Sequence, residues 1–451
     1  MIAFLALAVA LSWAAMAWVW SKQGCFIRLA DQSVDLLDEL LNPDLDDDAR
    51  IEVLQKKTGA LFMALLNVLA IAAVAIGLPW LALDSSIQYG GLPSVNPWVT
   101  LAAISVGMAI PFLWPKPKET SEFGAVAQLF HRIAFNHYNL VWRLHQREVK
   151  RNRITPRQDF LIITGLARAG TTAMLNTLSQ RKEFASLSYA NLPFLLSPST
   201  WGRLYNPKGD KKKERSHGDG LKISTRSVEA LEEFFFKVRL KDRFIQGDTL
   251  VAHDVDQALA ADYLKYQSLV RTSDDQIYLA KNNNFMLRYG SMRQHLPEMR
   301  VIIMFRDPLT HAASLMEKHE QFTQMQAKDP FVLTYMDWLG HHEFGQGHKP
   351  FSLSPVDQNP YTLNSLNYWL TIWIHYYQYA LQQDLSGCQW VAYERFCQDP
   401  SSVVNELLNP WGISEPSKDL EPHQSKRSVP QECDAQLLER ATHLYKDLLE
   451  R

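Results

Sequence analysis

The 451-residue chain predicts an α/β fold: a phosphate-loop-like parallel sheet flanked by helices, preceded by an N-terminal bundle of about three transmembrane helices. Three observations predict it. The stretch Asp159–Asn176, DFLIITGLARAGTTAMLN, runs from a β-prone apolar segment through a glycine-bounded turn into a helical one. A second apolar run, Val301-Ile302-Ile303-Met304-Phe305, ends in Arg306-Asp307-Pro308 and again passes into a helical pattern. Three apolar segments fall within the first 115 residues.

Composition narrows the class. Hydrophobic residues are 47% and charged residues 21%, which excludes a disordered chain. A net charge of −2 argues against a nucleic-acid binder working through bulk electrostatics. The four cysteines, Cys25, Cys388, Cys397 and Cys433, are scattered without a CxxC pair, so neither a zinc site nor a dense disulfide framework is expected. No metal is expected.

Residues 1–115 read as a membrane unit. Met1–Trp20 is uncharged and long enough to span about 30 Å of hydrocarbon as a helix. It has no basic stretch before its apolar body and is too long for a typical signal-peptide core. Gly59–Leu83 is a second uncharged run, and Trp98–Trp114 a shorter third, for which a buried core helix is the alternative. Lys22, Arg28, Arg50, Lys56 and Lys57 lie between the first two, whereas Asp84–Pro97 holds no lysine or arginine. The positive-inside rule then puts the first loop and everything after Pro115 in the cytoplasm. The expectation is a multi-pass protein of the inner (cytoplasmic) membrane with its soluble part facing the cytoplasm.

Residues 116–155 form a basic linker. Within it Phe123–Arg153 reads as one long amphipathic helix carrying Arg132, Arg143, Arg147, Lys150, Arg151 and Arg153. Such a helix lies along an anionic lipid surface or packs on the soluble domain; the sequence supports both.

Residues 156–451 alternate strand-like and helical stretches, the pattern of a parallel sheet. Gly165-x4-Gly170 has phosphate-loop spacing, but Thr171-Thr172 stands where Lys-Ser/Thr would follow. The missing lysine is the group that reaches the β/γ-phosphates of ATP. The nearest cation is Arg168, inside the loop, so the loop suits a 5′-phosphate better than an ordinary nucleoside triphosphate. Arg306 falls at the carboxyl end of a strand, where ligands bind in such sheets, and Ser314 lies about two turns into the next helix.

These two motifs in this order resemble sulfotransferases, which use 3′-phosphoadenosine 5′-phosphosulfate (PAPS) as donor. The likeness covers most of residues 159–413. Ser216-His217-Gly218-Asp219-Gly220, Glu229–Phe236 (EALEEFFF), Lys281-Asn282-Asn283-Asn284, RDPLTHAASL, Gly340-His341-His342-Glu343-Phe344-Gly345 and Tyr393-Glu394 before Asp399-Pro400 are similar to bacterial members. The resemblance implies that Leu166, Ala167, Arg168, Ala169, Gly170, Thr171 and Thr172 hold the 5′-phosphosulfate. It implies that Arg306 and Ser314 hold the 3′-phosphate, which explains the missing lysine. Arg168 would replace the lysine of cytosolic members and neutralise charge growing on the bridging oxygen. Lys281 would help hold the donor, and 3′,5′-ADP (PAP) would be the product.

The base is less defined. Some sulfotransferases use a glutamate about twenty residues after the loop arginine, but Ser188-Tyr189-Ala190-Asn191 stands there. His217 and Asp219 are the first candidates, since histidine has a suitable pKa and the flanking glycines allow close approach. Glu232 and Glu233 come next, although a glutamate pair beside Phe234-Phe235-Phe236 is also an ordinary helix cap. His341 and His342 suit an acceptor pocket or a solvated loop, and the asparagines after Lys281 suit an exposed turn. Leu366–Leu381, rich in Tyr and Trp, reads as core. Lys426-Arg427 reads as a surface cluster.

The expected activity is transfer of a sulfuryl group from PAPS to a hydroxyl or amine of a glycan, glycolipid or other acceptor, beside membrane lipids and without nucleic acid. A phosphate-loop kinase or ATPase and a non-catalytic membrane scaffold are the alternatives.

Overall fold

The chain divides into two units, Met1–Leu140 and Val141–Arg451. The computed structural model describes residues 2–91, 96–113, 125–205, 213–214, 222–223, 227–354, 359–413 and 433–451.

The first unit is helical: α1 (Ile2–Ser21), α2 (Gln23–Leu40), α3 (Asp47–Gln88), α4 (Pro97–Leu113), α5 (Ala125–Asn136) and the start of α6 (Tyr138–Asn152). Two of these, α1 and α3, are long and apolar enough to cross a membrane by length and composition; the apolar stretch Trp98–Ala109 of α4 is shorter. Phe4 and Ala8 of α1 meet Leu83 of α3 and Ala103 of α4 in a small apolar cluster. The expected second span is one part of a 42-residue helix that begins in the acidic run, where Asp46 caps it by accepting from the Ala49 N–H at 2.8 Å. Lys57 of α3 pairs with Asp35 and Glu39 of α2, each at 2.7 Å.

The single helix expected over Phe123–Arg153 is two helices, α5 and α6, separated at His137. Asp38, a hundred residues earlier, accepts from the Leu140 N–H at 2.7 Å and the Asn139 side chain at 3.2 Å. It thereby satisfies an N–H that the first turn of α6 leaves without an intrahelical partner, so α6 starts there. In the second unit, α6 packs by its inner face. His145 Nδ1 bonds the Leu196 carbonyl at 2.8 Å, and Glu148 accepts from the N–H groups of Ser199 and Thr200. Arg143, Arg147, Lys150, Arg151 and Arg153 stay exposed.

The second unit is built on five parallel strands: β1 (Phe160–Thr164), β2 (Phe184–Ala185), β3 (Ile277–Lys281), β4 (Arg300–Phe305) and β5 (Cys388–Ala392), in the order β5-β4-β1-β3-β2. β1 is buried on both faces, as an unbroken apolar run between parallel neighbours requires. The main flanking helices are α7 (Thr171–Leu178), α8 (Glu233–Leu240), α9 (Gln257–Val270), α10 (Pro308–Lys328), α11 (Leu366–Leu381) and α12 (Ala435–Leu449). Leu161, Ile163, Met174, Leu178, Ile302 and Met304 centre the core. Trp369, Trp373, Tyr376 and Tyr377 of α11 are buried, so its aromatics are core residues. The Tyr377 hydroxyl donates to the Met304 carbonyl at 2.8 Å and fastens α11 to β4.

The order reverses around β1, with β4 on one side and β3 on the other, and such a switch point opens a crevice at the strand carboxyl ends. Register fixes what lines it. Ile163 pairs with both Lys281 and Ile302, and Ala392 pairs with Phe305. Gly165, Lys281, Arg306 and Tyr393 therefore emerge along one edge.

Candidate active site

The loop after β1 is shaped by backbone sterics. Gly165 and Gly170 have φ of +136° and +93°; a Cβ on the first would overlap the Met304 carbonyl and on the second the Tyr393 ring. Between them Arg168 itself takes φ +72°, a left-handed conformation costly for a residue with a Cβ. The Ala169 N–H closes the turn on the Leu166 carbonyl at 3.1 Å. α7 then begins at Thr171, so its unpartnered N–H groups and positive dipole end face the crevice.

Side chains from three other elements converge on this loop. Lys281 donates to Thr172 Oγ1 at 3.0 Å from the end of β3. Arg168 Nε donates to Ser314 Oγ at 3.3 Å, so the loop arginine leans toward α10. His311, one turn before Ser314, is fully buried and donates from Nε2 to the Ala167 carbonyl at 2.8 Å. Burial, with Arg306 and Arg168 nearby, depresses His311 to about 3, so the ring is neutral and acts as a fixed brace.

Arg306 leaves β4 with 6% exposure. Its guanidinium lies 4.9 Å from the centre of the Tyr393 ring, and Nε is 4.0 Å from Glu394. Glu394 is itself held by the Asp307 N–H at 3.0 Å and the Tyr445 hydroxyl at 3.1 Å. A nearly buried cation aimed from a strand end, beside a helix N-terminus and two more cations, is suited to an anion with several charges. Sequence reasoning passed over His311 and Tyr393 as site residues, although Tyr393 follows a strand and faces Gly170.

The three asparagines after β3 do not form an exposed turn: Asn282, Asn283 and Asn284 are 2%, 6% and 3% exposed. Each finds a distant partner. Asn282 donates to Glu232 at 3.1 Å and Glu233 at 2.9 Å, and Asn284 donates to the Gly340 carbonyl at 3.1 Å. Asn283 accepts from Thr171 Oγ1 at 3.4 Å and donates to Glu343 at 3.0 Å. Their cost of burial is offset by these bonds.

The glutamate pair is not a solvated cap either. Glu233 takes both terminal nitrogens of Arg288 at 2.7 Å. Glu232 takes the hydroxyls of Tyr263 at 2.7 Å and Tyr278 at 2.9 Å. Burial, with the Glu233 charge adding to it against these donors, raises the Glu232 carboxyl from 4.5 to about 7. Between those values the folded chain holds a proton that the unfolded chain has released, so stability falls as pH rises through that window. The effect is on the order of 3 kcal/mol. The stability advantage of wild type over Glu232→Gln should shrink by that amount from pH 4.5 to pH 8, while His253, His311 and His348, held neutral in the fold, shift the stability of both proteins the opposite way; unfolding of the two proteins at both pH values checks it.

His217 and Asp219 lie outside the described residues, as do Lys426 and Arg427. A carboxylate does reach the Ser188–Asn191 turn from another segment, since the Tyr189 hydroxyl donates to Glu229 at 2.9 Å. His342 is buried and His348 half-buried; burial shifts both down, His348 to about 4, and His348 is a neutral group lining the cavity beside Leu166 and Ala167. Among the described residues no group of three or more His, Cys, Asp or Glu is arranged to hold a metal.

The sequence profile of the sulfotransferase family matches residues 161–416, more than half of the chain, including the loop, Lys281, Arg306, Ser314 and Tyr393. The chain belongs to the sulfotransferase family, and sulfuryl transfer is the activity this membership supports. Among solved structures it is similar to sulfotransferase STF1 from Mycobacterium tuberculosis H37Rv, at 12% identity over 66% of this chain and 80% of that one, with a TM-score of 0.37. It is similar to STF9 from Mycobacterium avium at 13% identity over 81% and 86%, TM-score 0.35. A sulfotransferase from Alicyclobacillus acidocaldarius matches at 17% identity over 66% and 94%, TM-score 0.31. No curated protein matches the sequence.

Proposed function

We propose that the chain is a membrane-tethered sulfotransferase that takes PAPS as donor and delivers its sulfuryl group to a hydroxyl or amine of a lipid-linked or glycan acceptor. One observation carries the donor reading. Arg306 and Ser314, 6% and 0% exposed, lie on the α10 side of the loop, with Ser314 bonded to Arg168. A 3′-phosphate is the group that would use a cation and hydroxyl outside the loop, and it separates PAPS from ATP. The residues fit a nucleotide carrying phosphates at both ends of its ribose: the loop amides with Thr171 and Thr172 at one end, and Arg306 with Ser314 at the other. Bound there, PAPS would supply an activated sulfuryl group. Arg168 and Lys281 would meet the charge that develops as it leaves. For Arg168 to do so it must swing from Ser314, and a 3′-phosphate arriving at Ser314 would favour that movement.

The apolar helices α1 and α3, with the shorter α4 as a third span, support a membrane tether, and the lysines and arginines between α1 and α3 then support a cytoplasmic catalytic unit by the positive-inside rule. Tethering favours an acceptor that resides in or on the bilayer. Lys281 beside the first turn of α7 also gives an ATP-using reading a cation, so ATP belongs in the test. Calorimetric titration of the purified chain should give 3′,5′-ADP at least tenfold tighter than 5′-AMP or ATP. ATP binding as tight as 3′,5′-ADP, accompanied by ATP turnover, would sink the donor reading.

A further inference from the structure

Two cavities flank the loop, and Glu343 is the residue that borders both. One is polar and lined by Lys281, Asn283, Gly340 and His341; the other is mainly apolar and lined by Leu166, Ala167, Leu315, Phe351 and Trp369. Resting on the donor reading above, we propose that Glu343 is the carboxylate that takes the proton from the acceptor hydroxyl or amine, and that Asn283 and His341 are its positioning residues.

Position supports this first. Asn283 ties Glu343 to the loop, with its Oδ1 on the Thr171 hydroxyl at 3.4 Å and its Nδ2 on Glu343 Oε1 at 3.0 Å. Two residues earlier on the same strand end, Lys281 holds Thr172 at 3.0 Å. An acceptor atom entering beside Glu343 thus faces the segment where the sulfuryl group would sit.

Comparison with the two neighbouring glutamates supports it next. Glu232 takes three donors and Glu233 takes both arms of Arg288 together with Asn282, so their lone pairs are engaged in holding the fold. Glu343 Oε2 instead faces His341 Nδ1 at 3.6 Å, longer than a hydrogen bond, and the two side chains keep 13% and 22% exposure. Burial alone would raise this carboxyl. His341, the Glu343 backbone N–H and the Lys281 charge override it and hold Glu343 at about 2, which favours the ionised, accepting form.

The step balances. The acceptor oxygen or nitrogen forms a bond to sulfur, the bond from sulfur to the bridging oxygen breaks, and its electron pair stays on the departing phosphate beside Arg168 and Lys281. The acceptor proton passes to Glu343 Oε2 and leaves through the cavity that His341 borders. A strong ground-state base is not needed, because the acceptor's proton becomes acidic as its bond to sulfur forms.

The test uses the full chain in detergent with 35S-labelled PAPS and a total membrane extract, alongside calorimetric binding of 3′,5′-ADP. Glu343→Gln should bind 3′,5′-ADP within about twofold of wild type while transfer falls roughly 10²- to 10⁴-fold. Glu343→Asp should recover part of that rate, as a shortened carboxylate would. Transfer by Glu343→Gln within threefold of wild type overturns the proposal. So does a loss of 3′,5′-ADP affinity that parallels the loss of rate, since that marks a structural role. A wild type that binds 3′,5′-ADP but transfers no label removes this proposal and leaves the donor reading standing. A wild type that does not bind 3′,5′-ADP removes both.

Discussion

Replacing Arg306 with alanine is expected to weaken 3′,5′-ADP binding by roughly 30- to 3000-fold and to leave 5′-AMP within about threefold. The range follows from removing one partner of a buried charged pair, about 2–5 kcal/mol, at about 1.4 kcal/mol per tenfold. Arg306 is the group concerned because it is a nearly buried cation at the carboxyl end of β4, its guanidinium against the Tyr393 ring at 4.9 Å. Its neighbour Glu394 is fixed by the Asp307 amide and Tyr445, so the arginine is held in place before any ligand arrives. Arg306→Lys should recover charge but not the planar fork, and fall between wild type and alanine. Calorimetric titration of both nucleotides checks this. Equal losses for 3′,5′-ADP and 5′-AMP would show that Arg306 does not read the 3′-phosphate.

Arg288→Met is expected to cost about 3–5 kcal/mol of stability, because it strands the buried Glu233 charge. The Arg288 side chain is fully buried, both terminal nitrogens are on Glu233 at 2.7 Å, and its guanidinium lies 4.0 Å from the Phe236 ring centre. Its Nε donates to His253 Nε2 at 3.2 Å; burial and the Arg288 charge hold that ring near 4, leaving it neutral and able to accept. Glu233→Gln in the Arg288→Met background should restore more than half of the loss, since the charge left without a partner is then gone. Chemical unfolding followed by tryptophan fluorescence measures both. A loss under about 1 kcal/mol for Arg288→Met would mean that water reaches Glu233 and that the pair is not a structural tie.

The strands at the centre of the sheet were legible because parallel strands buried on both faces leave an unbroken apolar run, as Phe160-Leu161-Ile162-Ile163 and Val301-Ile302-Ile303-Met304-Phe305 do. The loop was legible because its two glycines have backbone conformations and neighbours that tolerate no side chain. Polar residues with distant partners were not. Asn282, Asn283 and Asn284 have the composition of an exposed turn, and what buries them are groups at 232, 233, 340 and 343. Glu343 lies in the Gly-flanked 340–345 segment, yet nothing in its spacing says that it meets Asn283. The break at His137 was invisible for the same reason, as Asp38 caps α6 from α2. Local pattern reports which segments are strands and helices; the pairing that makes a site is long-range.

The most direct measurement is transfer itself. Purified wild-type chain, supplied with 35S-labelled PAPS and a total membrane extract, should move label into an extractable acceptor and release 3′,5′-ADP in equal amount, and Arg306→Ala should slow both together. No labelled product from a folded, 3′,5′-ADP-binding preparation, or label released only as free sulfate, would contradict the account.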